Sequence, residues 1–223
     1  MAFLHASSGI MRQIFILCQL MAHMSYKPEQ IKDTFSFNPF SGILDEDLEE
    51  ILVPKINFEE VLGHLEASTP YMIQFVGKHG RGKSTHLRYV QQLVPDIPFY
   101  TLHAHEPTDP VMLEPSEILF IDSIHHLHLR QRLQLFRKKH LVIFTTHYSK
   151  WWECQLAGKE LISYRFRGLS QQALEEIVQK RLDLASESSQ PHISMDVDYL
   201  RKLHRKFGDN LRGILNHLYH EFQ

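Results

Sequence analysis

Gly77-Lys78-His79-Gly80-Arg81-Gly82-Lys83-Ser84 meets every fixed position of the pattern G-x-x-x-x-G-K-[ST]. The apolar run Tyr71-Met72-Ile73-Gln74-Phe75-Val76 ahead of it reads as a buried strand. The stretch Thr85 to Leu93 behind it reads as a helix. In that setting the glycines let the backbone turn its N–H groups inward around phosphate oxygens, and the helix start adds its positive dipole end. Residues Gly77, Lys78, His79, Gly80, Arg81, Gly82, Lys83, Ser84 and Thr85 are thus the expected nucleotide cradle. Lys83 is expected on the β- and γ-phosphates, and the Ser84 hydroxyl on Mg²⁺.

Working outward, further apolar runs alternate with amphipathic stretches. Phe99 to His103, Ile118 to Asp122, Leu141 to Thr146 and Ile162 to Arg167 read as strands, and His126 to Lys138 as a helix between two of them. Continuous apolar strands separated by helices predict an α/β fold with a mainly parallel five-stranded sheet covered on both faces. Ahead of the sheet, Asp45 to Leu52 and Phe58 to Leu65 read as helices, with Val53-Pro54-Lys55 as a break between them. Residues 27–42 read as an extended arm carrying Phe35, Phe37 and Phe40 onto the core. After Gly168 the pattern turns helical: Gln171 to Ala185 capped by Ser170, then Asp196 to Lys206 and Asn210 to Phe222. The expected organisation is an N-terminal extension over 1–23, dispensable, an α/β core with its arm over 24–167, and a helical lid over 168–223.

Composition narrows the class. In 223 residues, 43% are hydrophobic, enough for one packed core with a small appendage. The net charge of -2 gives no general drive toward nucleic acid or an anionic membrane. The apolar run Ile14-Phe15-Ile16-Leu17-Cys18 is too short to span a bilayer. Two cysteines, Cys18 and Cys154, fit a reduced, cytoplasmic protein rather than a disulfide framework. The 16 histidines include the group His125-His126-x-His128 and the pair His103 and His105. Neither has the paired-cysteine or HExxH context of a zinc site, so both read as surface or partly packed side chains.

Asp122 ends an apolar strand and is the expected second Mg²⁺ anchor beside Ser84, usually through water. With both motifs in place, the chain over residues 40–223 resembles the AAA+ ATPases and the related signal-transduction ATPases. Phe144-Thr145-Thr146-His147 lies where that family keeps its polar first sensor. Gly208-Asp209-Asn210-Leu211-Arg212 looks like its second-sensor motif. Val53-Pro54-Lys55 resembles the segment that packs on adenine. The resemblance implies ATP and Mg²⁺ as ligands, with Val53 and Pro54 against the base. It implies Thr146 and Arg212 as γ-phosphate sensors, beside Lys83 and Asp122, and lid closure as the output of binding.

Two departures bear on activity. Many relatives carry Glu after the acidic strand end; here Ser123 stands there, leaving Glu106 and Glu117 as other candidate bases. The interval Tyr148 to Leu161, where an arginine finger usually falls, holds Lys150 and Lys159 but no arginine. Such a finger supplies on the order of 10³-fold or more in rate, so slow hydrolysis or a pure nucleotide switch is expected. Trp151-Trp152 reads as a loop, either a partner anchor or core packing. The basic cluster Arg130, Arg132, Arg137, Lys138, Lys139 and His140 reads as a solvated helix face or a nucleic-acid contact. Three functions stay open: a switch or slow ATPase acting on a protein partner and compatible with an oligomer, a DNA-associated loader or transposition-type regulator, and a P-loop small-molecule kinase.

Overall fold

The computed structural model describes residues 25–42, 44–66, 70–186 and 193–223. The expected extension over 1–23, the turn at 67–69 and most of the polar loop before Ser194 lie outside them. The elements are β1 (Ser25–Tyr26), α1 (Pro28–Ile31), α2 (Leu48–Ile51), α3 (Phe58–Gly63), β2 (Tyr71–Val76), α4 (Lys83–Gln92), β3 (Phe99–Thr101), α5 (Asp109–Leu113), β4 (Ile118–Asp122), α6 (Leu129–Lys138), β5 (Leu141–Thr146), α7 (Trp151–Leu156), β6 (Glu160–Arg165), α8 (Gln171–Ala185), β7 (Ser194–Met195), α9 (Val197–Phe207) and α10 (Leu211–Glu221).

The chain divides into two compact units. One holds the described residues of Ile43–Leu169 together with Asp209–Arg212. Its sheet has the strand order β3-β4-β5-β2-β6, and every pairing is parallel. The apolar runs alternate between two faces, as a period of two requires. Met72, Leu119, Ile121, Val142 and Phe144 pack on one side. Ile73, Phe75, Phe120, Leu141 and Ile143 pack on the other, with Leu87 and Val90 of α4. Both faces are covered, so the strands need no polar alternation. The exception is Gln74, 1% exposed. Its amide donates to Ser163 Oγ (2.7 Å) and Ser149 Oγ (3.1 Å), and its carbonyl accepts from the Lys150 N–H (3.0 Å). A buried amide so fully bonded costs little and fixes the chain just after β5.

Several elements differ from the sequence reading. Strand β3 stops at Thr101, and β6 runs Glu160–Arg165 rather than two residues later. The stretch 45–52 starts as a 3-10 turn and becomes helical only at Leu48. Trp151 and Trp152 sit on the short helix α7, not in a loop, and both face solvent at 61% and 47% exposure. Helix α7 is anchored by Glu153, which is buried and bonded to Arg132 Nε (2.5 Å) and Nη2 (3.0 Å) and to Lys150 Nζ (3.3 Å). The basic cluster is therefore divided. Arg132 belongs to that buried network, and Lys139 is buried with its ammonium on the carbonyls of Ser116 (2.7 Å) and Glu114. Arg130, Arg137 and Lys138 face solvent.

The other unit holds the described residues of 25–42 with Ser170–Gly208 and Gly213–Gln223. The aromatic arm, expected on the α/β core, groups here instead. Phe40 meets Phe222 edge-on at 5.0 Å and Phe35 lies 5.8 Å from the same ring, whereas Phe37 is half exposed. Asn38 Nδ2 donates to the Tyr219 carbonyl (2.8 Å). Arg181, buried on α8, donates to the carbonyls of Pro39 (3.2 Å) and Ser41 (3.3 Å), and burial pushes its guanidinium down to about 10. Strands β1 and β7 add a parallel two-stranded pair. Ser170 caps α8 by accepting from Ala173 N–H (3.1 Å). Among the described residues no helix is long and apolar enough to cross a membrane.

Candidate functional site

The loop between β2 and α4 is shaped by three glycines. Gly80 and Gly82 hold φ of +75° and +86°, a conformation that L side chains rarely adopt. A Cβ on Gly77 would lie 2.5 Å from the Phe166 carbonyl oxygen, so only glycine lets the loop leave the sheet there. Its N–H donates to the Thr146 carbonyl (3.2 Å), which ties the loop to the end of β5.

Lys83 and Ser84 then open α4. Lys83 is buried, and its ammonium donates to the Lys78 carbonyl of the same loop (2.9 Å). Burial pushes its pKa down to about 8; Arg81 and Arg212 push the same way and Asp122 opposes. An ammonium held in this state is under-compensated and gains from any anion that enters the loop. Ser84 Oγ donates to Asp122 Oδ1 (2.8 Å), so the two expected Mg²⁺ ligands are already neighbours. Hydroxyl and carboxylate oxygens are the hard donors this cation takes, which fits the group.

Thr145 and Thr146 face different partners. Thr145 Oγ1 donates to Asp122 Oδ1 (2.5 Å) and accepts from the Ser123 N–H (2.7 Å). Thr146, the residue expected as a sensor, donates instead to the Tyr148 carbonyl (3.0 Å). The sequence reading did not single out Thr145, whose contact with Asp122 depends on the register of β5 against β4. Glu117 precedes β4 by one residue, so it sits at the opposite end of that strand from Asp122 and about 16 Å along it. That placement removes it as a base acting beside Asp122.

The segment Asp209–Arg212 reaches the same loop. Arg81 pairs with Asp209 and donates to the Phe166 carbonyl (3.1 Å). The Arg212 N–H donates to the Gly80 carbonyl (3.4 Å), and a Cβ on Gly80 would strike Asn210 Oδ1 at 2.2 Å. Val53-Pro54-Lys55 is attached as well, through His86 of α4. The Lys55 N–H donates to His86 Nε2 (3.1 Å), which leaves Nδ1–H to donate to the Gly82 carbonyl (2.8 Å). Lys55 Nζ reaches the carbonyls of Gly168 (3.3 Å) and Arg81 (3.4 Å). Loop, acidic strand, Val53–Lys55 and Asp209–Arg212 thus meet at one end of the parallel sheet.

Among solved structures the chain is similar to domain III of the replication initiation protein DnaA from Thermotoga maritima, at TM-score 0.50 and 15% identity. That match covers 78% of this chain and 87% of that one. It is also similar to a RuvB mutant from Thermotoga maritima at TM-score 0.50 and 14% identity, covering 79% of this chain and 62% of the RuvB chain. The chain has the fold of the AAA+ P-loop NTPases. No protein-family model matches the sequence, and no curated protein does either.

The residue after Asp122, Ser123, has φ +63° and opens a 3-10 turn over Ile124–His126. That turn carries His125 to the ring of His147, which follows β5, with His126 beside His125. His103, His105 and His128 are exposed and stand apart from this group. Among the described residues no set of three or more His, Cys, Asp or Glu side chains could hold a metal ion.

Proposed function

We propose that this chain binds ATP with Mg²⁺ in the loop Gly77–Ser84 and works as a nucleotide-dependent AAA+ switch with slow ATPase activity. The observation that carries the reading is the pairing of Ser84 with Asp122 beside the buried, under-compensated ammonium of Lys83. Lys83 holds the β- and γ-phosphates, with the loop N–H groups around them. Ser84 and Asp122 hold the metal, which neutralises charge on the phosphates. Thr145 positions the Asp122 carboxylate, Val53 and Pro54 flank the base, and Arg212 reads the γ-phosphate. The missing Glu after Asp122 and the missing arginine between Tyr148 and Leu161 support a slow intrinsic rate.

The output of binding is a change in Asp209–Arg212, the segment that opens α10. A protein partner and a cytoplasmic setting fit the composition, and an oligomer would supply a missing cation. A DNA partner has narrower support, since only Arg130, Arg137 and Lys138 of the basic cluster are left facing solvent; salt-sensitive, ATP-dependent retention on DNA tests it. The kinase reading has no site residue of its own.

The test is Arg212→Ala, with ATP and ADP affinities measured on the same samples. Loss for ATP with ADP spared supports the reading. Equal loss of both contradicts the role of Arg212, and ATP turnover as fast as that of a finger-assisted ATPase contradicts the switch.

A further inference from the structure

Four imidazoles form a row beside the phosphate loop. The His79 ring, on the loop itself, stacks on the His147 ring at 5.7 Å with 19° between planes. His125 lies 4.5 Å from His147, and His126 lies 4.3 Å from His125. His125 Nδ1 is buried without a hydrogen-bond partner among the described residues. The charges that face the row come from each neighbouring element: Lys83 on α4, Asp122 at the end of β4, and Lys150 ahead of α7.

These surroundings disfavour the charged form of His125 and of His147. Burial first, then His126, His147 and Lys150, push His125 down to about 4, with Asp122 opposing. Burial first, then Lys83, His79 and His126, hold His147 below the usual histidine value, while the Gly77 carbonyl works the other way. MgATP stays net negative with its metal bound, so phosphates at Lys83 add a field that favours the imidazolium.

We propose that the row His79–His147–His125–His126 is a proton-linked part of the nucleotide site, which takes a proton from solvent when a nucleoside triphosphate fills the loop. The imidazolium so formed adds a cation on the terminal phosphates, beside the turn that Ser123 opens. This rests on the ATP-binding reading above. Because the bound state holds more protons than the free state, affinity falls as pH rises, by at most about tenfold per pH unit for one proton.

The test is calorimetric binding of MgATP by the whole chain between about pH 6 and pH 8, repeated in buffers of unlike ionisation enthalpy. Excess Mg²⁺ keeps the terminal phosphate of the ligand itself from titrating. The expected result is affinity about fivefold or more tighter at the acid end, with a buffer-dependent heat that reports proton uptake. Both effects shrink in His147→Gln and in His79→Gln, the latter an exposed side chain whose change spares folding. Binding that is independent of pH and buffer overturns the row and leaves the ATP reading standing. Uptake unchanged in both variants does the same, whereas no MgATP binding by the folded wild type overturns both.

Discussion

Arg81 of the phosphate loop is paired with Asp209, which lies 128 residues away in the segment that opens α10. The guanidinium is largely buried, and its other arm is on the Phe166 carbonyl. Asp209 is 37% exposed, so the pair lies between the surface case and the buried one. Asp209→Ala is expected to cost about 1–2 kcal/mol of stability. Urea unfolding of Asp209→Ala, Arg81→Ala and the double variant reads the coupling. Additive losses would show that the pair does not hold the segment to the loop.

Thr145 and Thr146 separate the positioning role from the strand-end role. Thr145→Val removes a hydroxyl from Asp122 and leaves the Ser123 N–H without its partner, a loss of about 1–3 kcal/mol. Mg²⁺-dependent ATP affinity should fall in Thr145→Val and change little in Thr146→Val, where one bond to the Tyr148 carbonyl is lost. Titrating each variant with ATP at fixed Mg²⁺ checks the order, and the reverse order would restore Thr146 as the residue that matters.

His86 makes stability depend on pH. It is 3% exposed, and burial pushes its pKa from 6.5 down to about 4; Lys55 adds to this, while the Gly82 and Val53 carbonyls oppose it. The unfolded chain therefore binds a proton in that window that the folded chain does not. Stability is full above about pH 6.5 and declines as pH falls toward 4, by up to about 3 kcal/mol from this residue. Thermal unfolding across the window should show a shallower acid decline in His86→Gln than in wild type. An identical slope would contradict the assignment of Nδ1–H as the only ring proton.

Glu153 is bonded to both Arg132 and Lys150, and it is 1% exposed. Glu153→Ala leaves two cations uncompensated, and breaking such a buried pair costs about 3–5 kcal/mol. Denaturant unfolding measures the loss. A change within about 0.5 kcal/mol would mean that α7 does not depend on this network.

The parallel sheet was legible because buried strands are apolar on both faces and stand out as runs. The loop 77–84 was legible because its glycines and lysine are demanded by backbone geometry. The helix at Trp151–Leu156 was not, since six residues make no stable period alone and α7 is held by Gln74 and Arg132 from distant parts of the chain. Phe35 and Phe40 were read as apolar, but their partner Phe222 lies some 180 residues on, beyond any local pattern. Successive strand residues face opposite sides, so the sequence alone did not say which of Thr145 and Thr146 meets Asp122. The histidine row escaped because the turn at Ser123 brings together residues that look scattered.

Direct binding of MgATP to the wild type and to Lys83→Ala tests the central claim. Saturable binding by the wild type is predicted, weakened about a hundredfold or more in a folded Lys83→Ala variant. A folded wild-type chain that fails to bind, or a variant that binds equally well, would contradict it.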